Sequence, residues 1–204
     1  MWSRFLPVQV KVREVLASKA IGEVRMVHAD FGFRAGVSPT SRLFDLKLGG
    51  GGLLDVGIYA ISFTWMVMQK APTRISAFAT IGETGADEQA AWIFGYDRGE
   101  LATGYTAIRT NTPHEATILG TEGRIRVHSP YWRGTKMQVV AGGKTEEFDC
   151  PYEGNGYNCQ AMEVMKCLRA GKLESEIMPH EESLRIMRTL DAIRAQWGLK
   201  YPME

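Results

Sequence analysis

Residues 74–110, RISAFATIGETGADEQAAWIFGYDRGELATGYTAIRT, decide the fold of this chain. They read as three strands, RISAFATI, EQAAWIFGY and ELATGYTAIRT, rich in β-branched and aromatic side chains and parted by short polar turns. Asp97-Arg98-Gly99 is a hairpin signal, because glycine accepts the positive φ that tight turns demand. The same pattern runs on through EATILG, GRIRVHS, KMQVVAG and KTEEFD, with Gly142-Gly143 as another hairpin signal. Hairpins in succession predict a mainly antiparallel sheet.

Outside this block the period changes. VQVKVREVLASK, residues 8–19, places Val8, Val12, Val15 and Leu16 on one face and stops before Gly22, which predicts a short amphipathic helix. EVRMVHADFGFR alternates again, with Val27, Ala29, Phe31 and Phe33 on one side, and predicts a strand. Two helices close the chain, YNCQAMEVMKCLRAG and PHEESLRIMRTLDAIRAQWG, the second with Pro179 near its start and Glu181 and Glu182 in its first turn. The expectation is an α+β fold in one domain, residues 1–204: an open-faced, predominantly antiparallel sheet with helices on one face. Its other face then needs solvent, a partner or a second copy.

The 204 residues carry a formal charge of +1 and 23% charged side chains, with no basic excess to attract nucleic acid or an anionic membrane. Cys150, Cys159 and Cys167 make no C-x-x-C pair, which fits a reducing cytoplasm. The longest apolar run, about residues 53–68, is short for a membrane span.

That run sits inside GGGGLLDVGIYAISF, residues 49–63. Its glycines fit neither G-x-G-x-x-G nor G-x-x-x-x-G-K-[ST], so they are not read as a phosphate cradle. The helix from Leu53 is apolar nearly all round; Asp55, Tyr59, Ser62 and Met66 share the remaining stripe. Two readings follow. Asp55 caps the helix while Tyr59 bonds within the core, or Tyr59 moves a proton and Asp55 organises it. A phenol of pKa roughly 10 needs a nearby cation to ionise near pH 7, and Asp55 pushes the other way. The four histidines, His28, His114, His128 and His180, have no metal-ligand spacing and read as surface or core residues. Trp2, Phe31, Trp132, Tyr152 and Tyr157 fall near strand ends or loops, as core packing or as an aromatic pocket.

Taken together, MWSRFLP, SRLFDLKLGGGGLLDVGIY, ILGTEGRIRV and QWGLKYPME resemble the carboxy-terminal domain of the Gfo/Idh/MocA oxidoreductases, and within them the dimeric dihydrodiol dehydrogenases. The resemblance covers essentially the whole chain. It implies a substrate-binding half with the fold of that domain, dimerising through its open sheet. It also implies a Rossmann domain for NAD or NADP that would lie before Met1, so that this chain alone binds no cofactor and meets such a domain only in trans. It makes Tyr59 the acid/base, Asp55 the acid that organises the site, and Trp2, Phe31 and Trp132 substrate-facing, with Tyr152 or Tyr157 beside them. Arg42 is implied to meet substrate or cofactor. The cation beside Tyr59 would be the lysine of an E-K-P motif in the cofactor domain. The rival expectation is a non-catalytic homodimeric binding or scaffold module.

Overall fold

The computed structural model describes all residues, Met1–Glu204, and its centre is the strand read at residues 23–34. This strand, β1 (Val24–Gly32), lies between β4 (Leu101–Ala107) and β5 (Ala116–Gly120). Outward from β4 run β3 (Asp87–Gly95) and β2 (Arg74–Ile81); outward from β5 run β6 (Gly123–Val127), β7 (Lys136–Ala141) and β8 (Lys144–Asp149). The eight strands form one open sheet in the order β2-β3-β4-β1-β5-β6-β7-β8. Only β1 and β4 pair in parallel; every other neighbouring pair is antiparallel. That one parallel pair needs a crossover, and the long connection through a helix supplies it.

The helices are α1 (Pro7–Ala17), α2 (Ile58–Met68), α3 (Tyr157–Arg169) and α4 (His180–Ala195). Alternation decides what they cover. Val27, Ala29 and Phe31 of β1 point to the helical side and are buried, with Trp92, Phe94, Ile118 and Ile125 from neighbouring strands. Ala60 through Met66 of α2 are all buried, so this helix is apolar all round because it is enclosed all round. Leu46–Met68 has the length and composition of a membrane span, yet α2 packs chiefly on β1 and most of that segment lies inside the fold. Each large side chain buried this way contributes about 1.5–3 kcal/mol.

The predicted α+β open-faced sheet is the observed one. Two details differ. The helix expected from Leu53 begins as a π-helical turn, Leu53–Gly57, before α2 proper. Second, Ser62 and Met66, grouped with Asp55 and Tyr59 on the remaining stripe, are buried under two arginines of the amino-terminal segment. Arg4 Nε donates to Ser62 Oγ at 3.2 Å, and Arg13 NH1 to Met66 Sδ at 3.4 Å and to the Arg4 carbonyl at 2.8 Å.

The other face of the sheet is bare. Phe78, Ile93, Leu101, Met26 and Leu119 stand exposed across five strands, Phe78 at 79%.

Candidate functional site

The glycine run serves the chain's own carboxylate. Gly51, at φ +130°, passes so close to Asp87 that a Cβ would lie 2.1 Å from Asp87 Oδ1. Only glycine fits both the conformation and the contact. Leu53 N–H donates to Asp87 Oδ2 at 2.6 Å, and the Gly50 and Gly51 amides go to the carbonyls of Asp45 and Leu43. Asp87 therefore takes the capping role that one reading gave to Asp55. From the other side Tyr201 Oη donates to the Gly50 carbonyl at 3.1 Å. Burial pushes the Asp87 carboxyl up to about 7, against three backbone N–H groups that pull it down.

The π-turn that follows carries one extra residue per turn and delivers Tyr59 to the surface end of the core. Trp2 Nε1 donates to Tyr59 Oη at 3.1 Å. Around this pair, Phe31 from the end of β1 stacks on Trp132 from the loop after β6, with centroids 4.7 Å apart and planes at 10°. Tyr59 meets Phe31 edge-on at 5.4 Å and Trp132 at 5.9 Å. Tyr157, the first residue of α3, packs on Trp2 at 4.6 Å. Five of the residues singled out in the sequence, drawn from five separate segments, thus form one aromatic cluster. Tyr152 donates its hydroxyl to the Arg133 carbonyl, next in sequence to Trp132, at 2.5 Å. The Arg133 guanidinium lies 4.8 Å over the Trp132 ring.

Burial raises the Tyr59 phenol; the Trp2 hydrogen bond lowers it, and Tyr157 and Asp55 raise it again. Tyr59 is accordingly a protonated phenol at neutral pH. Asp55 and Arg42 form an ion pair, with Asp55 mostly covered and Arg42 mostly in solvent. A solvent-screened pair of this kind contributes little to stability.

His114, read from the sequence only as a surface or core residue, packs against this cluster. Its ring packs edge-on to Phe31 at 4.9 Å, and Nε2 lies 2.6 Å from the Gly32 carbonyl. The Asp30 carboxylate, buried at 1% exposure, accepts the backbone N–H groups of His114 and Glu115 at 2.8 and 3.2 Å. Phe31 is thereby held from behind by a loop 80 residues away in sequence. No local pattern signals this, because His114 takes φ 62°, a conformation its residue type does not announce.

Residues 10–126 match a family model described as the GFO/IDH/MocA C-terminal domain. The chain is 35% identical over 210 aligned residues to the trans-1,2-dihydrobenzene-1,2-diol dehydrogenase of Xenopus tropicalis, covering 98% of this chain and 62% of that protein. It is 31% identical to the NADP(+)-dependent D-xylose 1-dehydrogenase of Hypocrea jecorina, over 99% of this chain and 60% of the relative. Among solved structures, an aldose-aldose oxidoreductase from Caulobacter crescentus complexed with glycerol superposes with a TM-score of 0.84 at 22% identity, over 95% of this chain and 59% of that one. A 3-ketoreductase from Actinomadura kijaniata, in complex with NADP and TDP-benzene, gives 0.81 at 18% identity, over 95% and 60%. The two structures share the fold; the chain spans about three fifths of the length of the curated relatives it matches.

Proposed function

This chain belongs to the GFO/IDH/MocA oxidoreductase family, and on that premise we propose that it is the substrate-binding and oligomerisation half of an NAD(P)-dependent dehydrogenase acting on a CH–OH group of a diol or sugar. The observation that carries this reading is the Tyr59 hydroxyl held by Trp2 at the centre of the aromatic cluster. Flat apolar rings beside one polar hydrogen-bonding group suit the carbon face of a cyclic substrate and its hydroxyl.

The nicotinamide cofactor would supply the hydride chemistry from a Rossmann unit, in the same chain or in trans. The glycine run does not fit it, since those backbone amides are already satisfied by Asp45, Leu43 and Asp87. In this chain Tyr59 handles the proton. With its pKa raised, the phenol is a donor as it stands and suits protonation of a substrate alkoxide oxygen. Taking a proton from a carbinol requires a cation brought beside the phenol, the role that resemblance assigns to a lysine of the cofactor domain. The Asp55–Arg42 pair sets the charge beside this end of the helix.

The test is a titration of tryptophan fluorescence, since Trp2 and Trp132 report the site directly. Trans-1,2-dihydrobenzene-1,2-diol is expected to quench saturably, and Trp132→Ala to weaken binding at least tenfold, about 1.4 kcal/mol. An unaltered affinity in Trp132→Ala, or no saturation with the diol or with D-xylose, defeats the reading.

The bare sheet face favours a second element, a homodimer, which a non-catalytic scaffold would share. Light scattering is expected to give twice the 22.7 kDa of the chain, and Phe78→Asp to give the monomer. A charge placed within an apolar interface is left unpaired and desolvated. A monomeric parent chain sinks the dimer.

A further inference from the structure

Arg13 is a half-buried cation that forms no ion pair. Its NH1 donates to the Arg4 carbonyl at 2.8 Å and lies 3.4 Å from Met66 Sδ, while Nε and NH2 have no acceptor within the chain. Burial and the neighbouring Arg4 guanidinium lower its pKa; Glu163 and Glu14 raise it through space and not by contact. Arg13 is among the walls of a cavity of about 470 Å³ between the amino-terminal segment, the carboxy-terminal end of α2 and the start of α4. The other charges there are already matched: Arg4 with Glu182 at 2.5 Å, Arg185 with Glu181 at 3.0 Å, and Glu176 with Lys172 at 2.6 Å. Trp65 and Met66, 3% and 4% exposed, supply apolar wall.

We propose that this cavity binds a small organic monocarboxylate, held by the Arg13 guanidinium, with the apolar part of the ligand against Trp65 and Met66. Three observations favour that chemistry. The free Nε and NH2 are the two parallel donors of one guanidinium edge, which match the two oxygens of a carboxylate. One unmatched cation calls for one negative charge: a phosphate dianion would bring a second, facing Glu176, Glu181 and Glu182 with no further free cation to meet it. The volume falls in the range of small-molecule sites, and apolar wall beside a single oriented charge is their usual make-up. None of Trp2, Phe31, Tyr59, Trp132 or Tyr157 lines the cavity, so the inference is independent of what the aromatic cluster binds.

The probe is sodium hexanoate, titrated calorimetrically into the full 204-residue chain in a phosphate-free buffer. Saturable binding is expected, and hexanamide, equal in length and neutral, is expected to bind at least tenfold more weakly to the same parent protein. Arg13→Gln is expected to lose at least tenfold in hexanoate affinity, and Arg13→Lys, which keeps the charge without the fork, to fall between that variant and the parent. Trp132→Ala, in the aromatic cluster, is expected to bind hexanoate as the parent does. Thermal melts without ligand establish that each variant is folded, and the hexanamide comparison needs no variant at all. Equal binding of hexanamide, or of hexanoate by folded Arg13→Gln, overturns the proposal. So does a loss in Trp132→Ala equal to that in Arg13→Gln, which would place the carboxylate in the aromatic cluster. Tighter binding of inorganic phosphate than of hexanoate overturns the carboxylate assignment, and no saturable binding up to about 10 mM hexanoate overturns the site itself.

Discussion

Replacing Arg4 with alanine is expected to destabilise the fold by about 3–5 kcal/mol, the cost of breaking a buried, hydrogen-bonded ion pair from one side. Arg4 is 3% exposed and joins three segments: it donates to the Ser62 carbonyl at 2.7 Å and Ser62 Oγ at 3.2 Å, to the Ile177 carbonyl at 3.4 Å, and to Glu182 at 2.5 Å. Burial pulls its pKa down and Glu182 pulls it back. Without the guanidinium, Glu182 in the first turn of α4 keeps part of its solvation, but the Ser62 groups in the middle of α2 lose their partner in a dry place. Arg4→Met, which keeps the volume and drops the charge, should recover part of the loss through packing. Urea denaturation measures both. A midpoint for Arg4→Ala that converts to less than about 1 kcal/mol would mean that the network is decorative.

The second large effect concerns pH. Asp87 is fully buried, its Oδ1 has no partner, and its carboxyl is raised to about 7. The unfolded chain ionises this group near 3.9, so between about pH 4 and 7 the unfolded state has released a proton that the folded state retains. The contribution of Asp87 is therefore complete below pH 4, falls as pH rises through 7, and is flat above; it amounts to about 4 kcal/mol at 1.36 kcal/mol per unit. Asp87→Asn keeps an oxygen to accept from Leu53 N–H and cannot ionise. The variant is expected to match the parent near pH 4 and to exceed it by up to about 4 kcal/mol at pH 8. Taking the difference between the two proteins cancels the carboxylates elsewhere, such as Glu204 beside Arg194, whose lowered pKa gives the opposite slope. A parent-minus-variant difference that does not change with pH would show that Asp87 titrates near its ordinary value.

The strands were legible because their signals are local. RISAFATI and KTEEFD occupy the bounds read from alternation and turn glycines, and the closing helices keep their caps within two or three residues. The pairing of β1 with β4 was not legible, since parallel partners carry no hairpin between them. The aromatic residues could be named one by one, yet their meeting depends on five segments converging, which no spacing reveals. Asp87 and Arg4 escaped for a related reason. Each does its work on a backbone more than 30 residues away, Asp87 on Leu53 and Arg4 on Ser62, so neither sits in a pattern with its partner.

The central position of β1 has a consequence for synthesis. Its register sets Met26 opposite Leu101 and Val24 opposite Gly120, so its two edges wait for residues 75 and 96 positions further along the chain. On a ribosome adding residues in order, β1 stays an unpaired ribbon while β2, β3 and β4 are still emerging, with loop-closure entropy set against its final insertion. An exposed strand edge in that interval is open to pairing with another nascent copy. Expression temperature and chaperone supply thus act on this protein through one nine-residue segment, Val24–Gly32.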